Sequence, residues 1–68
     1  MTNNVKVERA RSGLTQAALA EQAKVSRQTI NALERGDYVP SAVLALKLAK
    51  VLDCPIQELF ELEPNDWS

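Results

Sequence analysis

Arg27, Gln28, Thr29 and Asn31 stand close together and carry side chains suited to the edges of DNA bases. A guanidinium can donate two hydrogen bonds to guanine O6 and N7, and a carboxamide can pair with adenine N6 and N7. Thr29 adds a hydroxyl and a methyl, and Asn31 a second amide. Ser26, directly before them, is a good helix N-cap. The group would therefore open a helix, whose first N–H groups and dipole can meet phosphate. Other chemistry is scarce. The chain has no His, one Cys and two Gly. That leaves no zinc ligand set and no glycine-rich phosphate loop. Its carboxylates are scattered over surface-type positions. The expectation is a protein that is not an enzyme, with no metal, no cofactor and no evident small-molecule ligand.

The elements that must position these residues are clearly punctuated. Residues 5–11 read as a short first helix, with Asn3 or Asn4 as its N-cap and Gly13 as its stop. Thr15 caps a second helix, 16–23, with Leu19, Ala20 and Ala23 as an apolar stripe. Lys24 and Val25 form a break. Ser26 caps a third helix, 27–35, with Ile30 and Leu33 on one side and Arg27, Gln28 and Asn31 on the other. Gly36 supplies a left-handed stop. After a loop through Pro40, Ser41 caps a fourth helix, 42–52. It is apolar nearly all round apart from Lys47 and Lys50, and so is expected to be buried on several sides. Pro55 opens a fifth helix through Phe60. Residues 60–63 alternate apolar and acidic, a strand signal. A lone strand is unstable, so this one needs residues 1–4, a second subunit, or both. Residues 64–68 are expected to fray, apart from Trp67.

At 68 residues the chain makes one domain, 1–68. A chain this short buries only roughly 60% of its unfolded surface, so a partner subunit would help. Apolar residues at 46% and charged residues at 25% are ordinary for a globular domain and argue against disorder. Cys54 has no partner for an internal disulfide, which suits a reducing, cytoplasmic setting. No secretory h-region or membrane-length apolar run is present. The net charge of −1 is unevenly spread: residues 1–35 carry +3 and residues 36–68 carry −4. A basic end can steer DNA even when the whole chain is slightly acidic.

A helix, a short break, and a second helix opening with small polar and basic side chains form the helix-turn-helix arrangement. The string LTQAALAEQAKVSRQTINALERG, residues 14–36, resembles the motif of Cro/cI-type helix-turn-helix repressors, also called xenobiotic-response-element regulators. YVPS, ALKLAKVL and PIQELF resemble the rest of that domain, so the resemblance spans roughly residues 4–63. It is nearest to short stand-alone members such as the cytolysin-type repressors. It implies an all-α, five-helix, lambda-repressor-like DNA-binding domain with a small terminal β element, and a homodimer. The helix-turn-helix proper falls at about 15–36 and a dimerisation segment at about 59–68.

Carried over by position, the resemblance assigns base reading to Arg27, Gln28 and Asn31. It places Gln16, Ser26, Thr29, Arg35 and Tyr38 near the DNA backbone, where Lys24 is also expected. It pairs Arg9 with Glu34 as a structural link between the first and third helices. Phe60, Leu62 and Trp67 are the expected dimer contacts. The chain departs from the pattern at Ala18, where many relatives have Glu, and at Glu8, where many have a large aliphatic. At Glu8, either Val7 supplies the missing packing or Glu8 pairs locally. Asp37 adds a negative charge beside the presumed DNA edge. The expected function is a homodimeric repressor on a palindromic double-stranded operator. Alternatives are an antitoxin or restriction-modification controller of the same fold, or a protein-interaction module that does not bind DNA.

Overall fold

The computed structural model describes all 68 residues. In chain order the elements are β1 (Thr2–Asn3), α1 (Val5–Arg11), α2 (Gln16–Ala23), α3 (Arg27–Glu34), α4 (Ala42–Val51), α5 (Ile56–Leu59), β2 (Phe60–Glu61) and a 3-10 turn (Pro64–Trp67). No helix is long and apolar enough to cross a membrane.

Three helices start on side-chain caps. Thr15 Oγ1 accepts from the Ala18 N–H at 3.0 Å, Ser26 Oγ from the Thr29 N–H at 3.1 Å, and Ser41 Oγ from the Leu44 N–H at 3.2 Å. Each cap satisfies an N–H that the helix itself leaves without a partner. At the first helix the two expected residues divide the role. Asn4 occupies the cap position but makes no capping bond. Asn3 Oδ1 instead accepts from the Val5 N–H, at 3.1 Å.

The first four helices close alike, through a residue in the left-handed region: Gly13, Lys24, Gly36 and Asp53, with φ of 72°, 59°, 81° and 51°. After α2, the Val25 N–H reaches back to Ala20 O at 3.0 Å and the Lys24 N–H to Glu21 O at 3.2 Å. This double return satisfies carbonyls that would otherwise be orphaned.

The core gathers one stripe from each helix. Val5, Leu19, Ile30, Leu33, Leu48 and Leu59 are fully buried, with Ala20, Ala23, Leu44 and Leu52 closing the cluster. The expectation that α4 is buried on several sides does not hold. Leu44, Ala45, Leu48 and Leu52 face the core, but Val43 and Leu46 are 67% and 59% exposed. Their side of α4 lies away from the core stripe and stays uncovered within the protomer.

The chain's two ends meet. β1 and β2 pair antiparallel, Thr2 with Glu61 and Asn3 with Phe60. The fifth helix is one residue shorter than expected, because Phe60 is already extended at φ −129° and ψ 138°. The last residues are not frayed. The Glu63 N–H donates to Asp66 Oδ2 at 2.7 Å, and the Met1 ammonium lies 2.8 Å from Glu63 and 2.9 Å from Asp66. Accepting from the Glu63 backbone, and then facing that ammonium, holds the Asp66 carboxyl below its usual range.

Candidate nucleic-acid interface

α2 and α3 pack closely, with Leu19, Ala20 and Ala23 against Ile30 and Leu33. This leaves the other side of α3 to solvent. Arg27, Gln28 and Asn31 are all exposed there. Arg27 and Gln28 make no side-chain hydrogen bond or ion pair within the chain. One residue of the three is oriented from behind. Asn31 Oδ1 accepts from Gln16 Nε2 at 3.3 Å. Its Nδ2 has no partner in the chain and is left as an outward donor.

Gln16 is more committed than its expected phosphate role suggests. Its Nε2 also donates to Glu34 Oε1, at 3.1 Å. It therefore bridges the start of α2 to both Asn31 and Glu34. Ser26 and Thr29 are likewise engaged with each other, their hydroxyls 2.9 Å apart beside the cap. Lys24 and Tyr38 are exposed and have no side-chain partner. Arg35 is exposed too, but its Nε lies 3.2 Å from Asp37 Oδ2. A phosphate would have to compete with that carboxylate.

Behind this surface lies the ion pair that fixes it. Arg9 Nε donates to Glu34 Oε2 at 2.6 Å and Arg9 Nη2 to Glu34 Oε1 at 3.1 Å. Arg9 Nη1 donates to Leu14 O at 2.9 Å. The Glu34 side chain is 4% exposed and the Arg9 side chain 16%. Burial alone would raise the Glu34 carboxyl, but the Arg9 guanidinium and the Gln16 amide together outweigh it and hold the carboxyl below its ordinary range. A two-bond fork to a buried carboxylate fixes orientation as well as distance.

At α1 the open question resolves locally. Glu8 lies 3.5 Å from Arg11, while Val7 stays exposed. Two residues absent from the expected set also matter. Asn3 Nδ2 donates to Leu33 O at 2.9 Å, which ties β1 to the end of α3. Asn4 Nδ2 donates to Glu58 O at 3.1 Å. An Asn before a helix reads first as a cap, and only the paired termini show what these two hold. Cys54 is held as a thiol by partial burial, reinforced by Glu8 and Glu58, which pushes its ionisation upward. Of the expected dimer contacts, Leu62 and Trp67 are exposed, Trp67 at 77%, while Phe60 packs partly against the core.

Comparison with known proteins points the same way. The helix-turn-helix family model matches residues 5–59. The chain is 49% identical over 66 residues to an uncharacterized HTH-type transcriptional regulator of Bacillus subtilis, covering 97% of this chain and 100% of that one. An uncharacterized HTH-type transcriptional regulator of Methanocaldococcus jannaschii is 46% identical, with the same coverage. Among solved structures, the restriction-modification controller protein C.AhdI from Aeromonas hydrophila superposes with a TM-score of 0.77 at 38% identity, over 82% of this chain and 85% of that one. The N-terminal DNA-binding domain of SinR from Bacillus subtilis gives 0.77 at 28% identity, over 88% of each chain.

Proposed function

The chain belongs to the helix-turn-helix family of DNA-binding transcriptional regulators, and from that premise we propose that it acts as a homodimeric repressor on a palindromic operator. α3 is the reading helix. Arg27 and Gln28 contact base edges in the major groove, with Asn31 presenting its Nδ2 beside them. Lys24, Arg35 and Tyr38, with the opening turns of α2 and α3 at Gln16, Ser26 and Thr29, set register on phosphates. In a homodimer the two reading helices enter successive major grooves about 34 Å apart. Repression follows from occupying a promoter and needs no effector domain.

The observation that carries this reading is the division of labour on α3. Ile30 and Leu33 are buried, Glu34 is locked to Arg9, and Arg27 and Gln28 are left uncommitted at the exposed start of the helix. The test is selection of bound fragments from random double-stranded DNA, followed by gel shifts at low and high salt. A palindromic consensus with salt-sensitive affinity is expected. Failure to enrich any sequence at low salt would overturn base reading. An unpaired half-site as the consensus would overturn the dimer.

A second reading, control of a restriction-modification system, draws on the 38% identity to C.AhdI. Genes for a nuclease and a methyltransferase beside this one would favour it.

A further inference from the structure

The outer face of α4 is apolar and uncovered. Val43 and Leu46 are exposed there, and Leu46 borders a shallow groove with Gln22 and Val51, rimmed by Lys47 and Lys50. Neither lysine has an ion-pair partner among the salt bridges of the chain. The last stretch of the sequence carries the opposite charge. Leu62 and Trp67 are exposed in a stretch of chain that also holds Glu58, Glu61, Glu63 and Asp66, and no Lys or Arg occurs after Lys50.

We propose that in the homodimer the C-terminal segment of each copy docks on the outer face of α4 of the other. Leu62 and Trp67 meet Val43 and Leu46, and the carboxylates of Glu58 and Glu61 face Lys47 and Lys50. This rests on the homodimer reading above and assigns its interface. Charge favours it. If each segment instead met its own symmetry mate, the acidic side chains of both copies would crowd together, and like charges across an interface oppose association. Area favours it too. A stable pair needs roughly 800 Å² from each partner, more than Leu62 and Trp67 alone can supply. Paired about a two-fold axis, each copy gives one segment to the other and receives one from it, so that two patches of every copy are used.

A charge swap tests the interface. One variant carries Lys47→Glu and Lys50→Glu. The other carries Glu58→Lys and Glu61→Lys, acids that take part in no ion pair of the chain. Each variant alone should dimerise about tenfold or more weakly by sedimentation, while their equimolar mixture should regain wild-type affinity, because both contacts of the mixed dimer are again opposite in charge. Trp67, the only tryptophan, should emit at shorter wavelength in the wild-type dimer and in the mixture, but not in either variant alone. Leu46→Gln gives a route free of charge changes, and should weaken dimerisation with the melting temperature of the monomer unchanged. If the lysine variant dimerises like wild type while Leu62→Asp abolishes association, the segments meet each other, and the proposal fails while the homodimer stands. If neither variant is rescued in the mixture, the proposal fails as well. If the wild-type chain stays monomeric at every concentration, the homodimer fails first, and the α4 face is left for a different protein.

Discussion

Arg27 and Gln28 differ from Gln16, Ser26, Thr29, Asn31 and Arg35 in having nothing to hold. Freed from structural duty, they can be changed without disturbing the fold. Arg27→Ala should therefore keep the wild-type melting temperature. It should cost about 1–3 kcal/mol of specific binding and relax discrimination at one base pair per half-site. Equal loss on every sequence would make Arg27 a phosphate contact instead. Glu34 is the opposite case. It is nearly inaccessible and bound by both Arg9 and Gln16. Glu34→Ala would leave the Arg9 guanidinium mostly buried without its counter-ion, a loss on the order of 3–5 kcal/mol when burial is deep. Unfolding, rather than altered base choice, is the expected result; a stably folded Glu34→Ala protein with new operator preference would overturn it. The same residue predicts acid sensitivity. Its folded carboxyl titrates below the unfolded one. The stabilisation is thus complete above the unfolded value of about 4.3 and is lost as pH falls from there through the folded value. Urea unfolding across that window should show a steep acid limb in the wild type and a flatter one in Glu34→Gln.

The helix stops show how much of the fold can be read from sequence. Thr15, Ser26 and Ser41 announce their helices, and Gly13 and Gly36 end two of them, because each does a job few other residues do as well. The core stripes of α2 and α3 are equally legible, since Leu19, Ala20 and Ala23 on one helix, and Ile30 and Leu33 on the other, fall at helical spacing. Three features were not. Asp53 takes a left-handed φ that its residue type only permits. The uncovered side of α4 reads as buried because apolar content says how a helix prefers to pack, not how many neighbours it finds. The ordered tail depends on the meeting of residues more than sixty positions apart, beyond any local pattern. At the site, the exposure of Arg27 and Gln28 is legible from the helical spacing that sets them opposite Ile30 and Leu33. The bridging of Gln16 to Asn31 and Glu34 was not, because it depends on how α2 crosses α3. Lys24 provides a test at this scale. A left-handed conformation costs a residue with a Cβ roughly 1–2 kcal/mol, and Gly escapes this while losing more backbone entropy on folding. Lys24→Gly should leave stability unchanged or raise it by up to about 1 kcal/mol. If Lys24 also meets a phosphate, the same change should reduce the salt slope of binding by about 0.9 for each protomer, about 1.8 for the homodimer. Thermal melts and salt titrations read the two effects separately. A drop in stability would mean that the lysine side chain packs, and an unchanged slope would remove Lys24 from the backbone contacts.

Across the whole molecule, the two-ended charge has to be weighed by which cations are free. Arg9 is bound to Glu34, Arg11 to Glu8, and Arg35 faces Asp37. The open cations near the start of α3 are Lys24 and Arg27. One protomer therefore offers few phosphate contacts, and non-specific affinity built on counterion release should be weak. Tight binding then requires two protomers held at one spacing, with the second half-site bound at little further entropic cost once the first is engaged. This makes spacing a sharper test than affinity. Half-sites one helical turn apart, 10–10.5 base pairs centre to centre, lie on the same face of the duplex; inserting about five base pairs turns one of them to the far side. A homodimer should then fall to the affinity of a single half-site, and removing the insert should restore it. Independent monomers would bind both spacings equally well, and that result would exclude the dimer from recognition even if every base contact of α3 were in place.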